Sequence, residues 1–213
     1  MDSVNTSSVA KRRYRSPLRE AQAAATRARI LDASLDAFAE GGYPGTSVAA
    51  IARAAGVSPE TVYATFGTKR GIIDGLLERV DAEGRPRQAA TLSERRGGGP
   101  RADLDVLAEV SADFWSTHGR LVQLLRQGIG DPDIGQEWAR RQDARRGLLY
   151  GLVARWPAGT LRRGLDADAA ADIAWTLTAH ELYELLVGVR GWSKERHVGW
   201  VAEALRRELL ARR

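Results

Sequence analysis

Apolar residues recur with helical spacing along almost the whole chain. Ile30, Leu31, Ser34, Leu35 and Phe38 mark the buried stripe of a helix predicted from about Ala21 to Glu40, which Gly41-Gly42 should stop. Tyr43-Pro44-Gly45 reads as a turn, and Thr46 as the cap of the next helix. Val48, Ile51, Ala52 and Ala55 then follow the i, i+3, i+4, i+7 rule, and Val62 and Phe66 repeat the i, i+4 spacing just beyond. Between them lies Ala55-Gly56-Val57-Ser58. Glycine supplies a tight turn with positive φ, Ser58 is a good N-cap, and Pro59 stands where a missing amide hydrogen costs nothing. Two short helices joined in this way predict a helix-turn-helix.

A fourth helix should begin near Lys69, with Ile72, Ile73, Leu76, Leu77 and Val80 on one face, and fade by Gly84. Residues 84–100 contain Pro86, three consecutive glycines and Pro100, so they read as a linker with at most one short helix. Beyond it, Leu104, Leu107, Val110 and Phe114 mark one helix, and Leu121, Leu124 and Leu125 a shorter one ending at Gly128-Ile129-Gly130. A longer helix is predicted from Ile134 to Trp156. Asp166 or Asp168 opens a helix expected to bury Ile173, Leu177, Leu185, Leu186 and Val189, and Gly191-Trp192 ends it. Ser193 caps the last helix, which carries Val198, Val201, Ala202, Leu205 and Leu209. Nothing alternates like a strand and nothing repeats, so the predicted fold class is all-α. The predicted organisation is a disordered arm (1–20), a helix-turn-helix DNA-binding domain (21–83), a linker (84–100) and a helical ligand-binding and dimerisation domain (101–213).

Charge sharpens this picture. Residues 1–29 hold seven basic side chains (Lys11, Arg12, Arg13, Arg15, Arg19, Arg27, Arg29) against Asp2 and Glu20. That is the whole of the chain's net charge of +5, so the remaining residues are neutral overall. A basic arm leading into a helix-turn-helix suits a polyanion such as DNA, where each neutralised phosphate releases counterions. Standing alone, it would read as a solvated tail.

The residues Thr46-Ser47-Val48, Ile51-Ala52, Ala55-Gly56-Val57-Ser58, Val62-Tyr63, Phe66-Gly67 and Thr68-Lys69 resemble the N-terminal DNA-binding domain of TetR-family transcriptional regulators. The resemblance runs from about Thr26 to Leu77. It weakens in the second half, where Leu182-Tyr183, Leu185-Leu186-Val187 and Arg190-Gly191-Trp192-Ser193 are similar to the penultimate helix and turn of many members. It implies that Thr46, Tyr63 and Lys69 touch phosphates and that the helix from Ser58 to Phe66 enters the major groove. The candidate DNA-binding set also includes Arg27, Ser47, Arg53, Ser58, Pro59 and Thr65.

Helical geometry agrees on the groove face. With Val62 at zero and about 100° per residue, Phe66 falls on the same buried side, while Glu60, Thr61 and Ala64 face outward and Tyr63 sits on the flank. Glu60 could accept from a cytosine amino group, Thr61 could bond several base edges, and Ala64 could meet a thymine methyl. Glu60 has a plainer reading as a first-turn carboxylate favoured by the helix dipole. Family members often carry a large polar or aromatic residue where Ala64 and Thr65 stand, so the readout here is lean and no operator sequence follows.

One helix-turn-helix covers only a few base pairs, so such proteins pair as two-fold dimers. The resemblance places Tyr183, Leu186, Val201 and Leu205 near a four-helix dimer interface; intramolecular core is the other reading. In the second half, Phe114, Trp115, Trp138, Trp156, Trp175, His118 and His180 are more aromatic surface than a Leu and Ala core needs. Each singly reads as core; together they suggest a ligand pocket for a small, largely apolar effector. Arg140, Arg141, Arg145 and Arg146 read as a solvated face, with a second nucleic-acid patch as the alternative.

The function these readings support is a sequence-specific regulator, a repressor released by its ligand. A non-specific architectural DNA binder and an all-helical enzyme are the alternatives. No P-loop, HExxH, GxSxG or cysteine nucleophile occurs, and the spacing of His118, His180 and His197 suggests no metal motif. His180, Glu181 and Glu184 share one helix, and a core or pocket histidine explains them more simply than a metal or acid/base pair. No cofactor is expected, and no apolar run of membrane-spanning length or signal sequence is seen, so the expected location is the cytoplasm and no membrane partner is expected.

Overall fold

Nine α-helices and one π-helical turn make up the described residues of the computed structural model, which are 17–94 and 98–211, with side chains described over 17–83 and 98–211. The arm residues Lys11, Arg12, Arg13 and Arg15 lie outside them. The helices are α1 (Pro17–Gly45), α2 (Val48–Ala55), α3 (Pro59–Phe66), α4 (Lys69–Glu94), α5 (Gly99–Gln127), α6 (Pro132–Ala154), α7 (Ala167–Leu177), α8 (His180–Tyr183) and α9 (Lys194–Leu209). The π turn, Glu184–Val189, follows α8 directly. The all-α expectation holds; the sole β feature among the described residues is an isolated bridge between Leu161 and Leu210.

α2 and α3 form where the local signals put them, whereas α1 starts at Pro17, inside the arm expected to be disordered, and reaches Gly45 across the expected stop at Gly41-Gly42. α1 is interrupted at Gly42, whose φ of 67° is open to glycine at no steric cost. Gly56 ends α2 in the left-handed region, and Ser58 caps α3 by accepting from the Thr61 amide, with Pro59 in the first turn. The cap of α2 differs from expectation. Ser47, not Thr46, accepts from the Ala50 amide, while the buried Thr46 hydroxyl donates back to Ala37 and Gly42 carbonyl oxygens of α1.

Three other boundaries also move. α4 continues through Gly84 and Pro86 to Glu94, across much of the expected linker, because one Gly and one Pro weaken a helix without ending it when good helix formers follow. α5 is one helix of 29 residues rather than two. Gly119 lies in its interior, where a Cβ would stand 3.1 Å from His180 Nε2, so the gap in the apolar pattern is a close helix approach and not a turn. The helix expected after Asp166 breaks at Thr178-Ala179 and resumes as α8 and the π turn, which leaves Leu185 and Val189 exposed rather than buried.

Two apolar cores result. The first gathers Ile30, Leu31, Phe38, Ile51, Val62, Ile72 and Leu76 of α1–α4 with Leu121, Leu124 and Leu125 of α5 and Ile134 of α6. α1 and α4, which flank the helix-turn-helix, are therefore packed directly on α5. The second core joins Leu104 and Ala108 of α5, Leu149 and Val153 of α6, Ala170 and Ala174 of α7, and Val201, Leu205 and Leu209 of α9. α4, α5 and α6 leave a cavity beside these two cores.

Candidate DNA-binding surface and ligand cavity

α3 turns one face inward and one outward. Val62 is 1% exposed in the first core, whereas Tyr63 is 52% exposed, and Glu60 and Ala64 are also exposed. Thr61 and Thr65 lie half-buried on the flanks, and their hydroxyls are used locally: Thr61 Oγ1 lies 3.2 Å from Ser58 Oγ, and Thr65 Oγ1 donates to the Thr61 carbonyl oxygen at 2.7 Å. The outward face is therefore Glu60, Tyr63 and Ala64, with Thr61 at its edge. The Glu60 carboxyl is held below its usual range by its own backbone N–H and by Ser58, the work of a first-turn carboxylate.

The remaining candidates sort by what else holds them. Ser47 and Ser58 are exposed N-caps that use an oxygen lone pair for the helix; the Ser47 O–H is left to donate, while that of Ser58 serves the Glu60 carboxylate. Arg53 is exposed at the end of α2 and Pro59 is half-buried beside Ser58. Lys69 stands over the Tyr43 ring at 4.4 Å, with Nζ 3.4 Å from the Pro44 carbonyl oxygen, and partial burial lowers its pKa. Thr46 is a correction, since its side chain is 6% exposed and latched to α1, leaving no hydroxyl turned to solvent. Arg27 is occupied as well. It pairs with Glu78 at 2.7 Å and stacks over the Phe66 ring at 4.7 Å, bracing α1 against α3 and α4.

The α3–α4 turn is tight. A Cβ on Gly71 would stand 2.0 Å from the Phe66 carbonyl oxygen, and one on Gly75 would stand 2.8 Å from Phe66 Cε1. Glycine at these positions lets α4 start against the end of α3, with Thr68 Oγ1 accepting from the Gly71 amide.

In the other half, a cavity of about 880 Å³ lies between α4, α5 and α6. Leu77, Val80, Phe114, Leu121, Trp138 and Leu149 give it apolar walls. A smaller cavity of about 480 Å³ adjoins it under α7 and α8, and Trp115, Trp138, Gln142 and Arg145 line both. Of the seven aromatic candidates, Phe114, Trp115, His118 and Trp138 line the larger cavity, and Trp175 and His180 the smaller. Trp156 lines neither. It packs on the second core, and its indole N–H donates to Asp103 at 2.8 Å.

Sequence reading missed the charged residues of this wall. Glu137 is 5% exposed and accepts from Arg141 at 2.6 Å and from Arg140. Arg141 also makes a two-pronged bond to Asp81 of α4, at 3.1 and 3.2 Å. Arg145 donates to the Trp175 carbonyl oxygen and to Thr178 Oγ1, and Arg146 binds Asp168 and Asp172. The expected solvated arginine face is thus a set of ties from α6 to α4 and α7. The i, i+4 step from Glu137 to Arg141 was the available signal, but nothing local pointed to Asp81 or Thr178.

Burial lowers the pKa of both His180 and His197, and Glu184, 3.5 Å from His180 Nδ1, works against the shift there. Among the described residues no group of three His, Cys, Asp or Glu could hold a metal ion, and no helix is long and apolar enough to cross a membrane.

The dimer candidates divide. Val201 and Leu205 are 0% exposed, sealed within their own chain by α5, so they have no surface to offer a partner. Tyr183 and Leu186 are half-buried, the former edge-on to His197. The apolar surface that α8, the π turn and α9 do expose is Leu185, Val189 and Trp200, with Trp192 edge-on to Trp200.

The family profile described as bacterial regulatory proteins, tetR family, matches residues 30–76. The chain is 33% identical over 154 residues to the HTH-type transcriptional regulator BetI of Burkholderia mallei, covering 70% of this chain and 75% of that one. Among solved structures it is similar to NalD of Pseudomonas aeruginosa, a secondary repressor of the MexAB-OprM multidrug efflux pump. That match has TM-score 0.71 and 24% identity, over 88% of this chain and 98% of that one. It is also similar to the transcriptional regulator FadR of Bacillus subtilis in complex with stearoyl-CoA. Here the TM-score is 0.64 and the identity 19%, over 84% and 96% of the two chains.

Proposed function

The chain belongs to the tetR family of bacterial regulatory proteins, and we propose that it is a sequence-specific DNA-binding repressor released from its operator by a small, largely apolar ligand. The observation that carries the DNA-binding part is the outward face of α3, where Glu60, Tyr63 and Ala64 stand exposed around a helix whose other face is sunk in the core. Tyr63, Lys69 and Ser47 fix register on phosphates, and Glu60, Thr61 and Ala64 read base edges. In this reading residues 21–83 form the DNA-binding unit and 101–213 the ligand-binding and dimerisation unit.

The cavity of about 880 Å³ has the size and mostly apolar wall of a small-molecule site. A neighbour in fold, FadR of Bacillus subtilis, was solved with stearoyl-CoA, whose acyl chain is apolar, and this supports an apolar group within a cavity of this fold. Leu77, Val80 and Asp81 of α4 belong to the wall, and α4 starts at Lys69 beside the DNA face. A ligand that prefers a different setting of the Arg141–Asp81 tie would move α4 and with it the head. Two chains pair through the exposed face of α8, the π turn and α9, centred on Leu185, Val189 and Trp200.

Selection of bound fragments from random duplex DNA with the purified protein tests the reading. A single enriched motif with two-fold symmetry is expected; a specificity ratio near one would favour the architectural alternative. On the selected site, Lys69→Ala and Tyr63→Phe should weaken binding to every sequence, with Lys69→Ala lowering the salt slope by about one. Ala64→Arg should instead change which sequence is preferred. An unchanged affinity for Lys69→Ala, or equal effects of Ala64→Arg on matched and scrambled sites, would remove the assignment.

A further inference from the structure

The larger cavity carries a positive surplus on an otherwise apolar wall. Arg140, Arg141, Arg145 and Arg155 face Asp81 and Glu137 there. Arg140 and Arg141 are neutralised by Glu137 and Asp81, and Arg155 reaches Asp103 at 3.5 Å. Arg145 is different. No carboxylate among the described residues lies within salt-bridge distance of it, and burial pulls its pKa down to about 10.

Its surroundings say what would complete it. Nη2 is used by the Trp175 carbonyl oxygen at 2.9 Å and Thr178 Oγ1 at 2.6 Å, so Nε and Nη1 have no acceptor among the described residues. The guanidinium stands 5.5 Å from the Trp115 ring centroid and 5.8 Å from that of Trp175. The indole N–H of Trp175, on the wall of the adjoining cavity, is itself buried without an acceptor. Donors exceed acceptors at this corner, and a desolvated cation with spare N–H groups is costly until an anion meets it.

We propose that the effector is a carboxylic acid whose carboxylate binds Arg145 where the two cavities meet, with its apolar body between Phe114, Leu121, Trp138 and Leu149 of the larger one. This rests on the reading of that cavity as the ligand site. A single planar carboxylate matches a single unpaired guanidinium. A phosphate monoester, with a charge of about −1.5 to −2, would exceed it and feel more repulsion from Asp143 and Glu181 on the smaller cavity than a singly charged carboxylate does.

Matched acids and amides separate the charge from the apolar body. Decanoate against decanamide, and 2-naphthoate against 2-naphthamide, are titrated into the full-length protein and followed by calorimetry and by quenching of tryptophan fluorescence. Each acid should bind about ten-fold or more tightly than its amide. The ratio should fall towards one in Arg145→Gln and be partly recovered in Arg145→Lys. Should Arg145 serve only as a brace for α7, the variants would weaken acid and amide alike and leave the ratio intact, which overturns the proposal. Equal binding of acid and amide by the unaltered protein overturns it even if the variants do not fold, while leaving the apolar-ligand reading in place. Failure of every probe to bind removes both, and leaves the DNA-binding part to its own selection experiment.

Discussion

The capping bonds of the helix-turn-helix and the side-chain ties around the cavity run over different distances along the chain. In the head the capping bonds are local: Ser47 to the Ala50 amide, Ser58 to the Thr61 amide and Thr68 to the Gly71 amide each span three residues. Around the cavity they are remote. Trp115 donates to the Thr178 carbonyl oxygen 63 residues away, Arg141 reaches Asp81 across 60 and Arg145 reaches Thr178 across 33. Local bonds make a rigid tool of fixed shape, whereas remote bonds tie one helix to another and can be rearranged when something enters between them. A DNA head needs the first property and a ligand-responsive half the second.

The most disruptive way to break this contrast is at the α3–α4 turn. Gly71→Ala would place a methyl 2.0 Å from a backbone oxygen that cannot swing aside, and should cost about 3 kcal/mol, the upper end for overpacking. Thermal unfolding should show the loss, and DNA binding should fall with it. Trp115→Phe removes the remote bond to Thr178 and leaves a buried carbonyl oxygen one donor short, a cost of about 1–3 kcal/mol. Because that bond holds the break between α7 and α8, Trp115→Phe should alter ligand response while the affinity of the free protein for DNA changes little. Ser58→Ala removes a local cap for about 1 kcal/mol, and Ser58→Gly for a few tenths, with operator affinity following α3 in both.

The smallest effect concerns pH. His197 is 2% exposed with neither ring nitrogen bonded, and burial holds its pKa below the ordinary value of 6.5. The unfolded chain therefore binds the proton more readily, so stability is present above about pH 6.5 and declines as the pH falls towards the folded pKa. Unfolding midpoints measured from pH 8 to pH 5 should decline less steeply in His197→Phe. An unaltered slope would remove His197 as its source; the same comparison in His180→Phe then tests the other histidine whose pKa burial lowers.

How far the fold was legible follows the same division. Gly56 at φ 64°, the Ser58 cap, Pro59 and the inward Val62 were all readable, because each follows from neighbours within one helical turn. Thr46 was misread as a cap since both it and Ser47 are good cap residues, and only packing on α1 decides which hydroxyl turns inward. The supposed gap in α5 was a glycine making room for His180, and the supposed interface residues Val201 and Leu205 were sealed by α5, 100 residues earlier in the chain to within a few positions. Periodicity tells which side of a helix is apolar; it does not tell whether that side meets its own chain or another.

The sequence by itself determined the helical class, the helix-turn-helix with its outward Glu60 and Ala64, and a surplus of aromatic residues in the second half. Those features depend on spacing of 3.6 residues per turn and on capping chemistry, both of which act over a few residues. The tertiary structure decided that Trp156 faces away from the cavity, that Arg141 joins α6 to α4, and that Arg145 stands between two tryptophans without a carboxylate. Such placements depend on which helices share a boundary, and a guanidinium looks the same in sequence whether its partner is water, an aspartate or an empty corner of a cavity.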